Sequence, residues 1–248
     1  MSTISDVLTR LEGIIEWAKT SNSPLGYFAV VYHITTAGVK HGIDKGIFDD
    51  CARMERLDVV FAERYFEAFD AWQAGRPVTK AWEAAFRAAE NPHCTVLQHI
   101  VLGMNAHINL DLGIAAAQTA PGSSIAEVKE DFYRINDIIA GLVDEMQDRL
   151  AAIFPIFGLL DRALRSRDER MANLTIRYAR SGAWTAATTL ATLEQQEHER
   201  IIRELDAGVW ILASQIQTPG SWLTPALRIV RWGETGSVRR KIEKLQTG

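Results

Sequence analysis

The stretch from Leu97 to Leu112, LQHIVLGMNAHINLDL, constrains this chain more than any other, because it sets a lone carboxylate inside an otherwise uncharged run. Between Glu90 and Glu127 the only Asp, Glu, Lys or Arg is Asp111, yet His99, Asn105, His107 and Asn109 crowd around it. A neutral segment of this length belongs in a core, where an ionised group is costly unless a counter-charge, hydrogen bonds or a metal compensates it. The segment at about 93–120 is therefore expected to be a buried helix at the centre of the fold, with its polar residues forming a site.

With about 3.6 residues per turn, His99, Gly103, His107 and Asp111 fall on one stripe of that helix and Gln98, Asn105 and Asn109 on another. His107 and Asp111, four apart, can meet each other or share one cation, and imidazole with carboxylate suits zinc or iron(II). His99 lies two turns, about 12 Å, from His107 along the axis, so only extended rotamers would bring both to one ion. Further ligands would come from other helices, with Asp58, His33 and Asp131 as candidates, each in an apolar context. The alternative is a structural network in which the His–Asp pair satisfies its own hydrogen bonds and Asn105 and Asn109 pin a neighbouring element.

The rest of the chain reads as helices. Ser5-Asp6 can cap a first one to about Lys19, and Tyr27 to about Val39 is a buried helix or, given its β-branched content, a strand. A long helix from Asp49 or Asp50 to about Ala74 places Asp58, Phe61, Ala62, Tyr65 and Phe69 on one face. Thr79 to Glu90 is short and ends at Asn91-Pro92. Ser124-x-x-Glu127 has capping-box spacing and should open a helix to about Phe154; Ser166-x-x-Glu169 should open another to about Tyr178. Past Ser181-Gly182, Trp184 to Gln217 is one helix, or two kinked near Gly208. The expected fold is all-α: a multi-helix bundle of residues 1–220 around the central helix, with a basic tail at 221–248 packed on it or partly frayed.

The 27 Lys and Arg against 31 Asp and Glu leave a formal charge of −4, so nothing recruits nucleic acid electrostatically. Two cysteines, Cys51 and Cys94, and an N-terminus without a basic-then-apolar leader point to a reducing, cytoplasmic setting. The most neutral window carries His99, Asn105, His107, Asn109 and Asp111, so no transmembrane segment is expected. The serine-hydrolase elbow, the phosphate-cradling glycine loop and paired Cys-x-x-Cys motifs are absent. A homo-oligomer is compatible with the composition, although no heptad seam specifies one.

The segment GMNAHINLDL at 103–112, preceded by Gln98-His99 and by DVVFAERY at 58–65, resembles an uncharacterised family of bacterial and fungal proteins known as a domain of unknown function. The segments around Asp131-Phe132 and Ala179-Arg180 are similar as well, so the resemblance spans about Tyr27 to Pro219. Glu63 departs from the Asn expected there. The family brings no activity with it. In spacing alone, His99 with His107-x-x-x-Asp111 also resembles the helical ligands of zinc-dependent phospholipase C, although those enzymes use more histidines and an N-terminal tryptophan amine. The functional expectation is an enzyme acting on a small, partly apolar molecule. Asp58, His99, His107 and Asp111 would be catalytic, and Asn105, Asn109, Tyr65 and His33 would contact substrate. A divalent metal, zinc or iron, on His107 and Asp111 would support hydrolysis, with His99 and Asp58 as further candidate ligands. Without metal, a His–Asp acid–base pair fits isomerisation, dehydration or cyclisation. The competing class is a binding protein for a lipid-like or secondary-metabolite ligand.

Overall fold

A capping box starts the central helix: Thr95 Oγ1 accepts from Gln98 N while Gln98 Oε1 accepts from Thr95 N, both at 3.1 Å. In the computed structural model, which describes residues 2–153, 176–220 and 224–247, a continuous helical rod then runs from Val96 to Thr119. It comprises α5 (Val96–Ala106), a π-helical turn (His107–Asp111) and α6 (Leu112–Thr119). Helices α1 (Ile4–Thr20), α2 (Gly26–Asp44), α3 (Cys51–Gln73) and α4 (Lys80–Arg87) precede it. After it come α7 (Lys129–Ile153), α8 (176–192), α9 (Gln195–Gln217), α10 (Thr224–Gly233) and α11 (Val238–Thr247). The fold is an all-α bundle, and no strand occurs among the described residues.

The rod is surrounded. α2 and α4 pack on α5, α3 packs on α6 and the π turn, and α9 packs on α5 and the π turn. Leu102, Ala106, Leu110 and Asp111 are completely buried as a result. By length and composition Val96–Thr119 could cross a membrane, contrary to the expectation that its polar residues would prevent this, but 78% of the qualifying window is buried inside the protein. Its composition is that of a core helix enclosed by others.

Two glycines set how closely neighbours approach the rod. Phe28 of α2 lies where a Cβ on Gly103 would stand, 2.4 Å from its Cγ. A Cβ on Gly113 would lie 2.8 Å from the Ala183 carbonyl oxygen and 2.9 Å from the Ala186 Cβ, so α6 and α8 meet through small residues. The amide stripe of the rod grips α9: Gln98 Nε2 donates to the Ile216 carbonyl at 2.9 Å and Asn105 Nδ2 to the Val209 carbonyl at 3.0 Å.

Several local expectations need correction. The first helix is capped by Thr3 with Asp6 in a capping box, not by Ser5-Asp6. Residues 26–44 are helix throughout, so the strand alternative fails in a segment buried on most sides. Gly122–Val128 is 3-10 helix, with Ser124 Oγ donating to the Pro121 carbonyl instead of capping, and α7 opens at Lys129. The Ser166-x-x-Glu169 capping box falls outside the described residues. α8 passes straight through Ser181-Gly182, and the next break comes at Leu193-Glu194. Gly208 lies within the uninterrupted helix α9.

In the tail, α11 buries Ile242 and Leu245, and Arg149 of α7 donates to the Leu245 and Gln246 carbonyls. Glu234, itself buried, accepts from Val96 N at 2.8 Å and from Lys241 Nζ at 3.2 Å, so this segment caps the central rod.

The α6–α8 contact can be tested by a pair of substitutions. Gly113→Ala should destabilise the protein by about 1–3 kcal/mol, because backbone must move to accept the methyl. Gly13→Ala, whose Cβ would meet nothing within 4 Å on exposed helix, should stabilise by about 0.5–1 kcal/mol. Urea unfolding measures both, and a neutral Gly113→Ala would contradict the close approach.

Candidate functional site

A π turn closes its hydrogen bonds one residue later than an α turn, and such bulges occur often at functional sites. Here the Leu112 amide donates to the His107 carbonyl, and the five residues of the turn carry His107 and Asp111, two of the three ionisable side chains of the rod. Asp111 is completely buried and takes donors from three directions. Arg64 Nε of α3 donates to Oδ1 at 2.9 Å, Trp82 Nε1 of α4 donates to Oδ2 at 2.8 Å, and His107 Nδ1 lies 3.4 Å from Oδ2. A counter-charge and hydrogen bonds thus answer the question this carboxylate poses.

Both oxygens of Asp111 accept from cationic or N–H donors, and the carboxylate lies against Nδ1 of His107. Among the described residues no group of three or more His, Cys, Asp or Glu is placed to hold an ion.

An ionised carboxylate only accepts, so the hydrogen of neutral His107 belongs on Nδ1 and the lone pair on Nε2. The ring is sandwiched: Phe61 stacks on its face with centroids 3.6 Å apart and planes within 6°, and Tyr32 meets it at 4.4 Å. Burial pushes the His107 pKa down and keeps the ring neutral; the Asp111 hydrogen bond and charge oppose this, and Arg64 adds to it. Nε2 is buried without a partner.

That atom belongs to a wider pattern. Eight buried side-chain polar atoms among the described residues lack a hydrogen-bond partner. Five of them, on Tyr32, Thr36, Asp58, His107 and Arg180, belong to residues lining one cavity of about 80 Å³. Its other walls are aliphatic, with Val31, Val39, Leu57, Ile108, Leu112 and Ile139 among them. Buried polar atoms are normally satisfied, and a cavity of this size exceeds several-fold the roughly 10–15 Å³ that one water needs. Thr36 shows the contrast: its neighbour Thr35 returns its hydroxyl to the Val31 carbonyl at 3.0 Å, while the Thr36 hydroxyl has no such partner.

Asp58, the second carboxylate on this cavity, has its pKa pushed up to about 7 by burial and then by the charge of Glu55. Tyr32 is held well above the ordinary phenol range by burial and by the charges of Asp58 and Asp111, against a smaller opposing pull from the Thr36 hydroxyl, which lies near the phenol oxygen without making a well-formed hydrogen bond to it. Arg180 is pushed down to about 10 by burial. Near neutral pH the cavity therefore offers a neutral imidazole, a half-protonated carboxyl, two hydroxyls and a guanidinium.

The other sequence candidates sit elsewhere. His99 lines a smaller void of about 10 Å³ that shares Phe28 as a wall, and is depressed to about 4 by burial and the charges of Arg231 and Lys241. Tyr65 is a core aromatic lining the same void, 5.2 Å from both Phe28 and Trp82. Asn109 donates to Asn105 Oδ1 at 2.9 Å, and Asn105 in turn donates to the Val209 carbonyl of α9. His33 lies 3.3 Å from Glu12 near the surface. Asp131 accepts from the Asp49 and Asp50 amides at 2.8 and 3.0 Å and anchors the start of α3.

Reasoning from sequence missed Tyr32, Thr36 and Arg180. Signals existed: Phe28, Tyr32 and Thr36 recur every four residues on α2, and Arg180 interrupts the apolar stripe Ile176, Ala183, Ala187 and Leu190. Set against known families, residues 4–219 match the family of unknown function DUF5995. The chain belongs to the DUF5995 family. The match covers the rod, the cavity and Asp111 with its partners, and α10 and α11 lie beyond it. Searches of curated proteins and of solved structures returned no significant match.

The raised pKa of Asp58 has a stability signature. Between its ordinary value of 3.8 and about 7 the native state holds a proton that the unfolded chain has released. That contribution is complete below about pH 4 and is lost as pH rises through about 7. Relative to wild type, Asp58→Asn should therefore gain about 2–3 kcal/mol in stability between about pH 5 and pH 8. Parallel pH profiles by urea unfolding would refute the protonated carboxyl.

Proposed function

We propose that this DUF5995 protein is an enzyme that moves protons on a small, partly apolar molecule held in the cavity beside the π turn. The observation that carries the reading is the gathering of unpartnered buried polar atoms, including His107 Nε2 and Asp58 Oδ2, on one cavity. Unsatisfied groups are expensive in a core, and their convergence is economical where a ligand supplies the missing partners.

In this reading His107 Nε2 takes a proton from one atom of the substrate, and the imidazolium that forms is stabilised by Asp111. Asp58, neutral for part of the time near pH 7, delivers a proton to another atom. The Tyr32 and Thr36 hydroxyls fix a substrate oxygen. The net result is an isomerisation, or a dehydration where the protonated atom is a leaving hydroxyl, and exchange with solvent restores both groups. The pKa values support the assignment, since a base and an acid poised near the working pH are the efficient ones. Aliphatic walls and the aromatic sandwich around His107 keep water from competing.

The test is to incubate the protein with a small-metabolite extract and follow it by untargeted mass spectrometry and chromatography. The expected result is a substrate–product pair of equal mass, or one differing by a single water. Asp58→Asn and His107→Gln should each lower the rate by about 10²–10⁴-fold while unfolding cooperatively. Retention of a small molecule without any product would instead indicate a binding protein.

A further inference from the structure

Arg180 is the one group on the cavity whose charge the proposed proton transfer does not use. It is 3% exposed, and its Nη2 donates to the Phe132 carbonyl while the guanidinium lies 4.6 Å over the Phe132 ring. These contacts hold α8 to α7, but a carbonyl and a ring face bring only partial negative charge, and Nε is left with no partner. Other partly buried arginines find carboxylates: Arg64 pairs with Asp111, and Arg53 and Arg134, nearer the surface, pair with Glu127 and Asp131. No carboxylate among the described residues forms an ion pair with Arg180, and Asp58, on the same cavity, makes none with it. A buried cation without a counter-ion is costly to keep, and breaking such a pair costs far more than never having one.

We propose that Arg180 is the anion anchor of the cavity and that the molecule taken there is a small aliphatic carboxylate, its head on Arg180 and its chain on Val31, Leu57, Phe61 and Ile108. The inference rests on the reading of the cavity as a small-molecule site and names the substrate class. A carboxylate fits better than a phosphate. The unpartnered Nε–H of Arg180 and the Tyr32 and Thr36 hydroxyls can serve two oxygens carrying one charge. A phosphate would bring three oxygens and nearly two charges into aliphatic walls with nothing further to meet them.

Calorimetric titration of the full chain with butanoate and hexanoate, against 1-butanol and 1-hexanol, tests the anchor. The carboxylates should bind at least about tenfold more tightly than the alcohols of equal length, the scale of a charge-assisted hydrogen bond. Arg180→Gln should abolish that preference, and Arg180→Lys should keep part of it. Should Arg180→Gln fail to fold, the wild-type comparison and the lysine variant still decide. Equal binding of both series by wild type overturns the anchor and leaves the cavity standing as a small-molecule site; no binding of either series overturns both. Arg180-dependent carboxylate binding without turnover of any substrate supports the anchor and counts against the proposed catalysis alone.

Discussion

The interaction on which the rest depends is the burial of Asp111 among Arg64, Trp82 and His107. A carboxylate with no exposed surface cannot be tolerated unless donors reach it, and here they come from α3, α4 and the rod itself. Three elements distant in sequence are thereby fixed about one pair of oxygen atoms. Removing a single partner would leave a buried charge uncompensated, at a cost of about 3–5 kcal/mol. The π turn belongs to the same constraint, since it contains both His107 and Asp111 and brings their side chains together.

Buried polar residues in this protein divide into two kinds. Gln98, Asn105, Asp131 and Glu234 are satisfied by backbone groups of other elements, and they set where helices start and how they dock. Tyr32, Thr36, Asp58, His107 and Arg180 keep unpartnered atoms, and these line a single cavity. Only the second kind invites a ligand. Asp111 links the two, since it is itself satisfied and it orients His107, which is not.

Much of this could be read from the chain. The uncharged run around Asp111 announced a buried central helix, and the helical periodicities announced an all-α bundle. Asp58 and His107 were legible as candidate site residues because each is an ionisable group on an apolar stripe. Asp111 was legible as their buried companion, but its partners Arg64 and Trp82, on other helices, were not. The amides of Asn105 and Asn109 could not be told from substrate contacts, because Asn105 donates to a backbone carbonyl of α9 about a hundred residues away and Asn109 donates to Asn105. Face assignments made at a constant turn per residue miss a π bulge, which the sequence does not mark. Arg180 was hidden among exposed arginines, since only the fold shows which guanidinium lacks a carboxylate. Glu234 and Lys241 looked like part of a solvated basic tail until the structure joined them under the start of α5.

The central claim is that burial keeps His107 neutral while Asp111 fixes its tautomer, with the hydrogen on Nδ1 and the lone pair on the unpartnered Nε2. Nitrogen NMR of protein labelled at histidine, with His107 assigned by difference from His107→Gln, reads this directly. The predicted result is a protonated Nδ1 and an unprotonated Nε2 at pH 7, with the ring taking up its second proton below the ordinary histidine pKa of about 6.5. A hydrogen on Nε2, or a charged ring at pH 7, would contradict it.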